Sequence, residues 1–121
     1  MKTLPLLFAF SVLSLAPASV ADAVDDKICD SGICVVEFNA SFNSQNSVEW
    51  IEKLNDCQTS RVDIASAPAL QQEHKIVVVP TIVVFSEGEE VKRFQANIMM
   101  TMEASKDDVQ EAVDEIMMSD F

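Results

Sequence analysis

Apolar runs typical of strands alternate along this chain with apolar residues at helical spacing, and this alternation predicts an α/β order of elements. Residues 33–38 are rich in β-formers and apolar on both faces apart from Glu37, which is typical of a central strand covered on both sides. A polar stretch follows, and apolar residues at helical spacing then predict a helix over residues 46–56. The first part of the domain is therefore predicted to be a strand followed by a helix.

Two prolines mark where the next elements begin. Residues 61–64 predict a short strand, and Pro68 suits the first turn of a short helix that extends to about residue 74. The apolar stretch 76–85 contains Pro80, which has no backbone N–H to give to a sheet. The strand in this stretch should therefore begin at Pro80 or just after it.

A hairpin and a last helix complete the pattern. Residues 86–89 predict a turn and residues 90–95 its return strand. Ser105 and Asp108 have the spacing of a capping box, before one apolar helical stripe: Val109, Ala112, Val113 and Ile116. This order of elements predicts an α/β three-layer sandwich, with a mixed central sheet, an antiparallel hairpin near the C-terminus and a final helix.

The N-terminal residues have the pattern of a secretory signal peptide: a basic start, an apolar stretch and small residues before cleavage near Ala21 or Ala23. A membrane anchor needs about 20 unbroken apolar residues, whereas prolines bracket this stretch closely. We expect a signal peptide over residues 1–21 and one domain over residues 22–121. The mature protein should be secreted or periplasmic, without a stable membrane anchor.

Charge narrows the classes of partner. The chain has 20 acidic and 8 basic residues, a net charge of -12, and no cluster of lysines and arginines. Nucleic acid is therefore not expected as a partner. The acids are scattered and lack the spacing of a calcium-binding loop. The sequence predicts no cofactor.

Five stretches resemble the thioredoxin family. Residues 35–42 resemble its central strand and the approach to its active site, and residues 61–64 its next strand. Residues 68–76 resemble the helix that leads to its cis-proline loop, residues 79–81 (Val-Pro-Thr) that loop, and residues 85–89 its hairpin turn. The resemblance covers about residues 34–94. It implies a thioredoxin-like fold with an abbreviated N-terminus and an extra segment, residues 97–104, before the last helix.

The family's catalytic Cys-x-x-Cys is missing where the resemblance places it. Its two cysteine positions hold Asn43 and Asn46, the ends of an Asn-Ser-Gln-Asn turn. Exchange requires a thiolate that attacks a disulfide, and an amide has no ionisable thiol. The acid that the family places behind the second cysteine corresponds to Glu37. We expect Glu37 to be a partly buried carboxylate paired with Arg61 or Lys53.

Three cysteines remain, and the predicted topology places them at the opposite end of the domain from Asn43. Cys34 begins the central strand, and Cys57 should return to the same end after the predicted helix. In an oxidising compartment, three cysteines are expected to form one disulfide and leave one thiol. We expect a stabilising disulfide between Cys57 and either Cys29 or Cys34. A working redox pair at this end is the alternative.

The main functional hypothesis follows from the missing pair. A cis-proline at position 80, as the resemblance implies, exposes main chain that an extended polypeptide can pair with like an added strand. The expected peptide-binding residues are Phe42, Asn43, Val79, Pro80 and Thr81. The protein is therefore interpreted as an exported, redox-inactive module that binds an extended polypeptide or another exported protein. No residue is predicted to be catalytic.

Two alternatives remain open. The first is an enzyme, a protein-disulfide oxidoreductase that uses the three remaining cysteines in an atypical site. The second is a Cu(I)-handling protein, because exposed thioethers suit that ion and three methionines are close in sequence: Met99, Met100 and Met102. These methionines could equally serve as adaptable packing. The single histidine, His74, is expected to be an ordinary surface residue at a helix end.

Overall fold

The computed structural model describes residues 28–119. The predicted signal peptide, its cleavage positions and the start of the domain at residue 22 lie outside the described residues. The strands are β1 (Ile33–Asn39), β2 (Gln58–Asp63), β3 (Thr81–Ser86) and β4 (Glu89–Gln95). The α-helices are α1 (Pro68–Glu73) and α2 (Lys106–Ser119), and two 3₁₀ helices span Ser41–Asn46 and Ile51–Lys53. Within the described range, no helix combines the length and the hydropathy needed to cross a membrane.

The four strands form one mixed sheet in the order β2-β1-β3-β4. Strand β1 is parallel to β2 and antiparallel to β3, and β4 forms an antiparallel hairpin with β3. Glu37 of β1 lies opposite Arg61 of β2 and Ile82 of β3. The predicted mixed sheet with its C-terminal hairpin is confirmed.

Each face of the sheet has its own apolar core, as expected for a strand buried on both sides. The first core packs α2 and the second 3₁₀ helix on one face: Val35, Val48, Ile51, Leu54, Ile82, Val84, Val109, Ala112, Val113 and Ile116. The second core lies on the other face: Cys34, Val36, Phe38, Ile76, Val79, Val83 and Phe85. The predicted three-layer arrangement is confirmed, and both cores meet at β1.

Local sequence signals fixed several boundaries. The Val79–Pro80 peptide bond is cis, and β3 begins at the next residue, Thr81. The capping box also forms, since Ser105 Oγ accepts from the Asp108 N–H at 3.2 Å and the Asp108 carboxylate accepts from the Ser105 N–H at 2.9 Å. Both predictions are confirmed.

The predicted helix over residues 46–56 is wrong, because only short 3₁₀ turns form there. Its apolar residues are nevertheless buried: Val48, Ile51 and Leu54. Of the three, only Ile51 lies in a 3₁₀ helix; Val48 lies between the two 3₁₀ helices, and Leu54 follows the second. The Val48 N–H donates to the Glu37 carboxylate at 2.9 Å, and the Val48 carbonyl accepts from Arg61 at 2.9 Å. This backbone is therefore bonded to a side-chain pair and is not free for a continuous helical ladder.

His74 is not an ordinary surface residue, which corrects the expectation from its position at a helix end. Its ring is half-buried between two aromatic rings, with centroid distances of 5.5 Å to Phe38 and 5.3 Å to Phe85. Its carbonyl accepts a hydrogen bond from Arg93 of β4 at 2.7 Å. The residue after α1 therefore covers the second core and joins α1 to the hairpin.

Candidate functional site

At the end of the sheet where the resemblance places the catalytic pair, the side-chain amides of Asn39, Asn43 and Asn46 form a hydrogen-bonded cluster. Asn43 is only 2 % exposed. Its Nδ2 donates to the Met100 carbonyl at 3.1 Å, to Asn39 Oδ1 at 3.2 Å and to the Val79 carbonyl at 3.5 Å, and its Oδ1 accepts from Asn46 at 2.8 Å. This position therefore ties the cis-proline loop to the extra segment, and it carries no sulfur.

The predicted peptide-binding residues are separated by burial. Phe42, with 73 % of its surface exposed, and Val79 line one mostly apolar groove with a volume of about 460 Å³. Val79 itself is 6 % exposed, and Asn43, Pro80 and Thr81 are buried as well, so Phe42 is the one exposed member of the predicted set. The extra segment supplies the groove with Asn97, Ile98 and Met100.

Glu37 is buried and its carboxylate is fully engaged. It forms an ion pair with Arg61 and accepts the Val48 N–H at 2.9 Å. Arg61, and not Lys53, is the cation that pairs with it in the described structure. Burial raises the pKa of Glu37 above its ordinary value, and the Val48 N–H and Arg61 oppose that rise without cancelling it. Glu37 also borders a second pocket, most of whose lining residues are polar, Ser44 and Ser47 among them.

The cysteines pair differently from the prediction. Cys29 and Cys34 form a disulfide with their Cα atoms 6.0 Å apart, and Cys57 is free. The register pairs Cys34 with Gln58, so the residue before Gln58 points to the opposite face of the sheet. Cys57 accordingly packs against the first core, whereas Cys29 and Cys34 belong to the second. The expected disulfide of Cys57 is therefore wrong. Burial, and then the charge of Asp56, raise the pKa of the Cys57 thiol.

The two bonded cysteines differ in access. Cys34 lies in β1 and is 3 % exposed, whereas Cys29 is half-buried in the loop before it. That loop rests on the turn between β3 and β4. The Gly32 N–H donates to the Glu87 carboxylate at 3.1 Å, and the Glu87 N–H donates to the Gly32 carbonyl at 2.9 Å. One residue further, a Cβ placed on Gly88 would lie 3.7 Å from the Cys29 carbonyl oxygen.

The three clustered methionines have different surroundings. Met102 packs against the first core, Met99 is exposed, and Met100 lines the groove beside Phe42. Between residues 28 and 119, no group of three or more His, Cys, Asp or Glu side chains is arranged to hold a metal ion. The Cu(I) hypothesis, which rests on thioethers, stays an untested prediction.

Structural comparison defines the class of fold as thioredoxin-like. A thioredoxin variant from Halobacterium salinarum superposes with a TM-score of 0.58 at 20 % identity, over 78 % of this chain and 82 % of that one. A thioredoxin from Schistosoma mansoni superposes with a TM-score of 0.56 at 17 % identity, over 80 % and 86 %. A designed protein does so with a TM-score of 0.60 at 22 % identity, over 79 % and 90 %. Comparison of the sequence with protein-family models and with curated proteins gives no match.

The prediction of a redox-inactive binding module is wrong. This chain combines the thioredoxin-like fold with a disulfide between Cys29 and Cys34. The prediction linked exchange to the positions of Asn43 and Asn46, but exchange needs only two sulfurs within bonding distance and one of them accessible. The available signal was the pair of cysteines with four residues between them, one just before β1 and one within it. Sequence analysis also missed Glu87, which it treated only as part of a turn.

Proposed function

We propose that this protein is a thiol–disulfide oxidoreductase that exchanges electrons through Cys29 and Cys34. The observation that carries the proposal is the unequal access of the two bonded cysteines, because Cys29 is half-buried and Cys34 is 3 % exposed. Cys29 is therefore the cysteine that a partner would reach first, and Cys34 is the one shielded from partners. The likeness of the fold to solved thioredoxins supports the same class of reaction.

The proposed exchange has two steps. In the reduced protein, the Cys29 thiolate attacks one sulfur of a partner disulfide; a mixed disulfide forms and the other partner sulfur leaves as a thiolate. The Cys34 thiolate then attacks the sulfur of Cys29. The Cys29–Cys34 bond re-forms and the second partner thiolate leaves. Two electrons pass from the pair to the partner, and the reverse sequence oxidises a partner dithiol.

A disulfide-reduction assay with insulin as substrate and dithiothreitol as electron donor tests this proposal. We expect Cys29→Ser and Cys34→Ser to reduce the rate to that of dithiothreitol alone. Cys34→Ser should also trap a mixed disulfide on Cys29. Cys57→Ser is the matched control and should keep the wild-type rate, since Cys57 lies on the other face of the sheet. A wild type no faster than dithiothreitol, or a fully active double serine variant, would overturn the proposal.

We also propose that the partner is an exported polypeptide and that exchange occurs outside the cytoplasm. The pattern of residues 1–21 supports export, and disulfides persist in oxidising compartments. Intact-mass analysis of the protein recovered from cell fractions tests this location. The expected mature chain begins at Asp22 or Val24, in the periplasm or the medium. A cytoplasmic chain that still begins at Met1 would contradict it.

A further inference from the structure

Glu87 makes a two-way contact with the loop that carries the cysteine pair. Its carboxylate accepts the Gly32 N–H at 3.1 Å, and its own N–H donates to the Gly32 carbonyl at 2.9 Å, between residues 55 positions apart in sequence. Both residues have a left-handed backbone, with φ 53° at Glu87 and φ 73° at Gly32. Glycine adopts this conformation readily, whereas a non-glycine residue such as Glu87 rarely does.

The contact anchors the loop independently of the disulfide. Four residues separate Cys29 from Cys34, and once the sulfur–sulfur bond is broken this loop gains conformational freedom. Cys34 stays fixed because it belongs to β1, paired on both sides by β2 and β3. The distance between Cys29 and Cys34 in the reduced protein therefore depends on the conformation of the loop. Gly32 lies within that loop, and its bonds to Glu87 restrict the loop in the reduced protein.

We infer that Glu87 is a positioning residue for the exchange reaction, because it keeps the reduced loop on the hairpin turn with Cys29 within reach of Cys34. The inference rests on the proposed function and names the residue that favours formation of the Cys29–Cys34 disulfide. Glu87 contacts the loop backbone and takes up neither a proton nor an electron in the reaction. Its effect is a higher effective concentration of one thiol at the other.

Equilibration of the purified mature protein with glutathione buffers measures that concentration directly. Two thiols of the protein and one oxidised glutathione give the Cys29–Cys34 disulfide and two reduced glutathiones. Alkylation and mass spectrometry then count the open and closed forms. We expect Glu87→Ala to lower the effective concentration about 3- to 10-fold, the range for one lost hydrogen bond that involves a charged acceptor near the surface.

Two variants separate the contact from the charge. Glu87→Gln keeps an oxygen that can accept the Gly32 N–H and should stay close to the wild type. Glu89→Ala removes the same charge two residues further on. The Glu89 side chain makes no hydrogen bond or ion pair within residues 28–119, so this control should match the wild type. An effect of Glu89→Ala equal to that of Glu87→Ala, or no effect of Glu87→Ala, overturns the inference.

Folding of each variant is checked by circular dichroism. If Glu87→Ala does not fold, Glu87→Asp replaces it, because the shorter carboxylate keeps the charge but withdraws from Gly32, and aspartate tolerates a left-handed backbone. Equal effective concentrations for Glu87→Asp and Glu87→Gln would then refute the inference. The glutathione equilibrium uses no protein partner. If the wild type does not reduce insulin but Glu87→Ala still lowers the effective concentration, the result counts against the proposed function alone. If the wild type reduces insulin and Glu87→Ala leaves the effective concentration unchanged, the result counts against the role of Glu87 alone.

Discussion

The side-chain amide of Asn43 donates a hydrogen bond to the main-chain carbonyl of Met100 at 3.1 Å, between residues 57 positions apart. Asn43 stands where the resemblance to thioredoxins places the first catalytic cysteine, and Met100 belongs to the extra segment. An amide can donate two hydrogen bonds and accept others, whereas a thiol is a weak donor. The same position is thus used to hold three chain segments together.

Replacement of Asn43 should therefore destabilise the fold. Asn43→Ala leaves the Met100 carbonyl, Asn39 Oδ1 and the Asn46 amide without their Asn43 partner, and we expect a loss of about 1–3 kcal/mol in the free energy of unfolding, the range for orphaned buried polar groups. Urea denaturation measures it. Asn46→Ala, which removes only the 2.8 Å bond to Asn43, is the control and should cost less than about 1.5 kcal/mol. Equal losses would refute the central role of Asn43.

Glu37 should make stability depend on pH. Its pKa is raised in the folded protein, chiefly by burial, so between the unfolded pKa of about 4.3 and the raised value the folded state binds more protons than the unfolded state. Stability must fall as pH rises through that window. We expect the free energy of unfolding of the wild type to decrease relative to Glu37→Gln from about pH 4 upward, as measured by urea denaturation at several pH values. A constant difference between the two proteins would contradict this.

Thiol counting tests the pairing of the cysteines. The unreduced protein, alkylated after unfolding, should gain one adduct, on Cys57, and the fully reduced protein three. In the folded state, Cys57 should react more slowly than an unhindered cysteine at neutral pH, because its raised pKa lowers the thiolate fraction. Peptide mapping by mass spectrometry identifies the linked pair. A disulfide that contains Cys57 would contradict the structure.

For the proposed exchange reaction, the charge around the cysteine pair predicts which partners react fastest. Asp30, Glu87 and Glu89 are exposed in the loop and in the turn beneath it, on a chain with a net charge of -12. Electrostatic steering should favour partners with lysine or arginine beside their disulfide. At low salt we expect such a peptide to be reduced about tenfold faster than its glutamate-flanked counterpart. The ratio should approach one as salt screens the charges; a ratio independent of salt would exclude steering.

Much of the fold was predictable because its signals are local. Pro80 lacks an N–H, so β3 begins immediately after it. Ser105 and Asp108 satisfy each other's backbone N–H groups across one turn, whatever lies around them. The apolar stripe of α2 needs only its own period to define the buried face.

The predicted helix over residues 46–56 failed for a non-local reason. Its apolar spacing suits a helix, but Val48 lies between the two 3₁₀ helices, where it meets the ion pair of Glu37 and Arg61. These side chains come from two strands and bond both backbone groups of Val48. The residues next to Val48 in the sequence give no signal of these two hydrogen bonds.

The sequence by itself determined the order of the strands, the helices that begin at Pro68 and Lys106, the start of β3 and the absence of sulfur at Asn43 and Asn46. Each of these depends on residue type or on neighbours along the chain. Tertiary structure alone decided the chemistry of the cysteines. Side chains alternate between the faces of a sheet, so the register of β1 and β2 assigns Cys57 to one face and the pair Cys29–Cys34 to the other. The distance between their sulfurs then selects Cys29 and Cys34 as the bonded pair, and their different burial leaves Cys29 as the more accessible of the two.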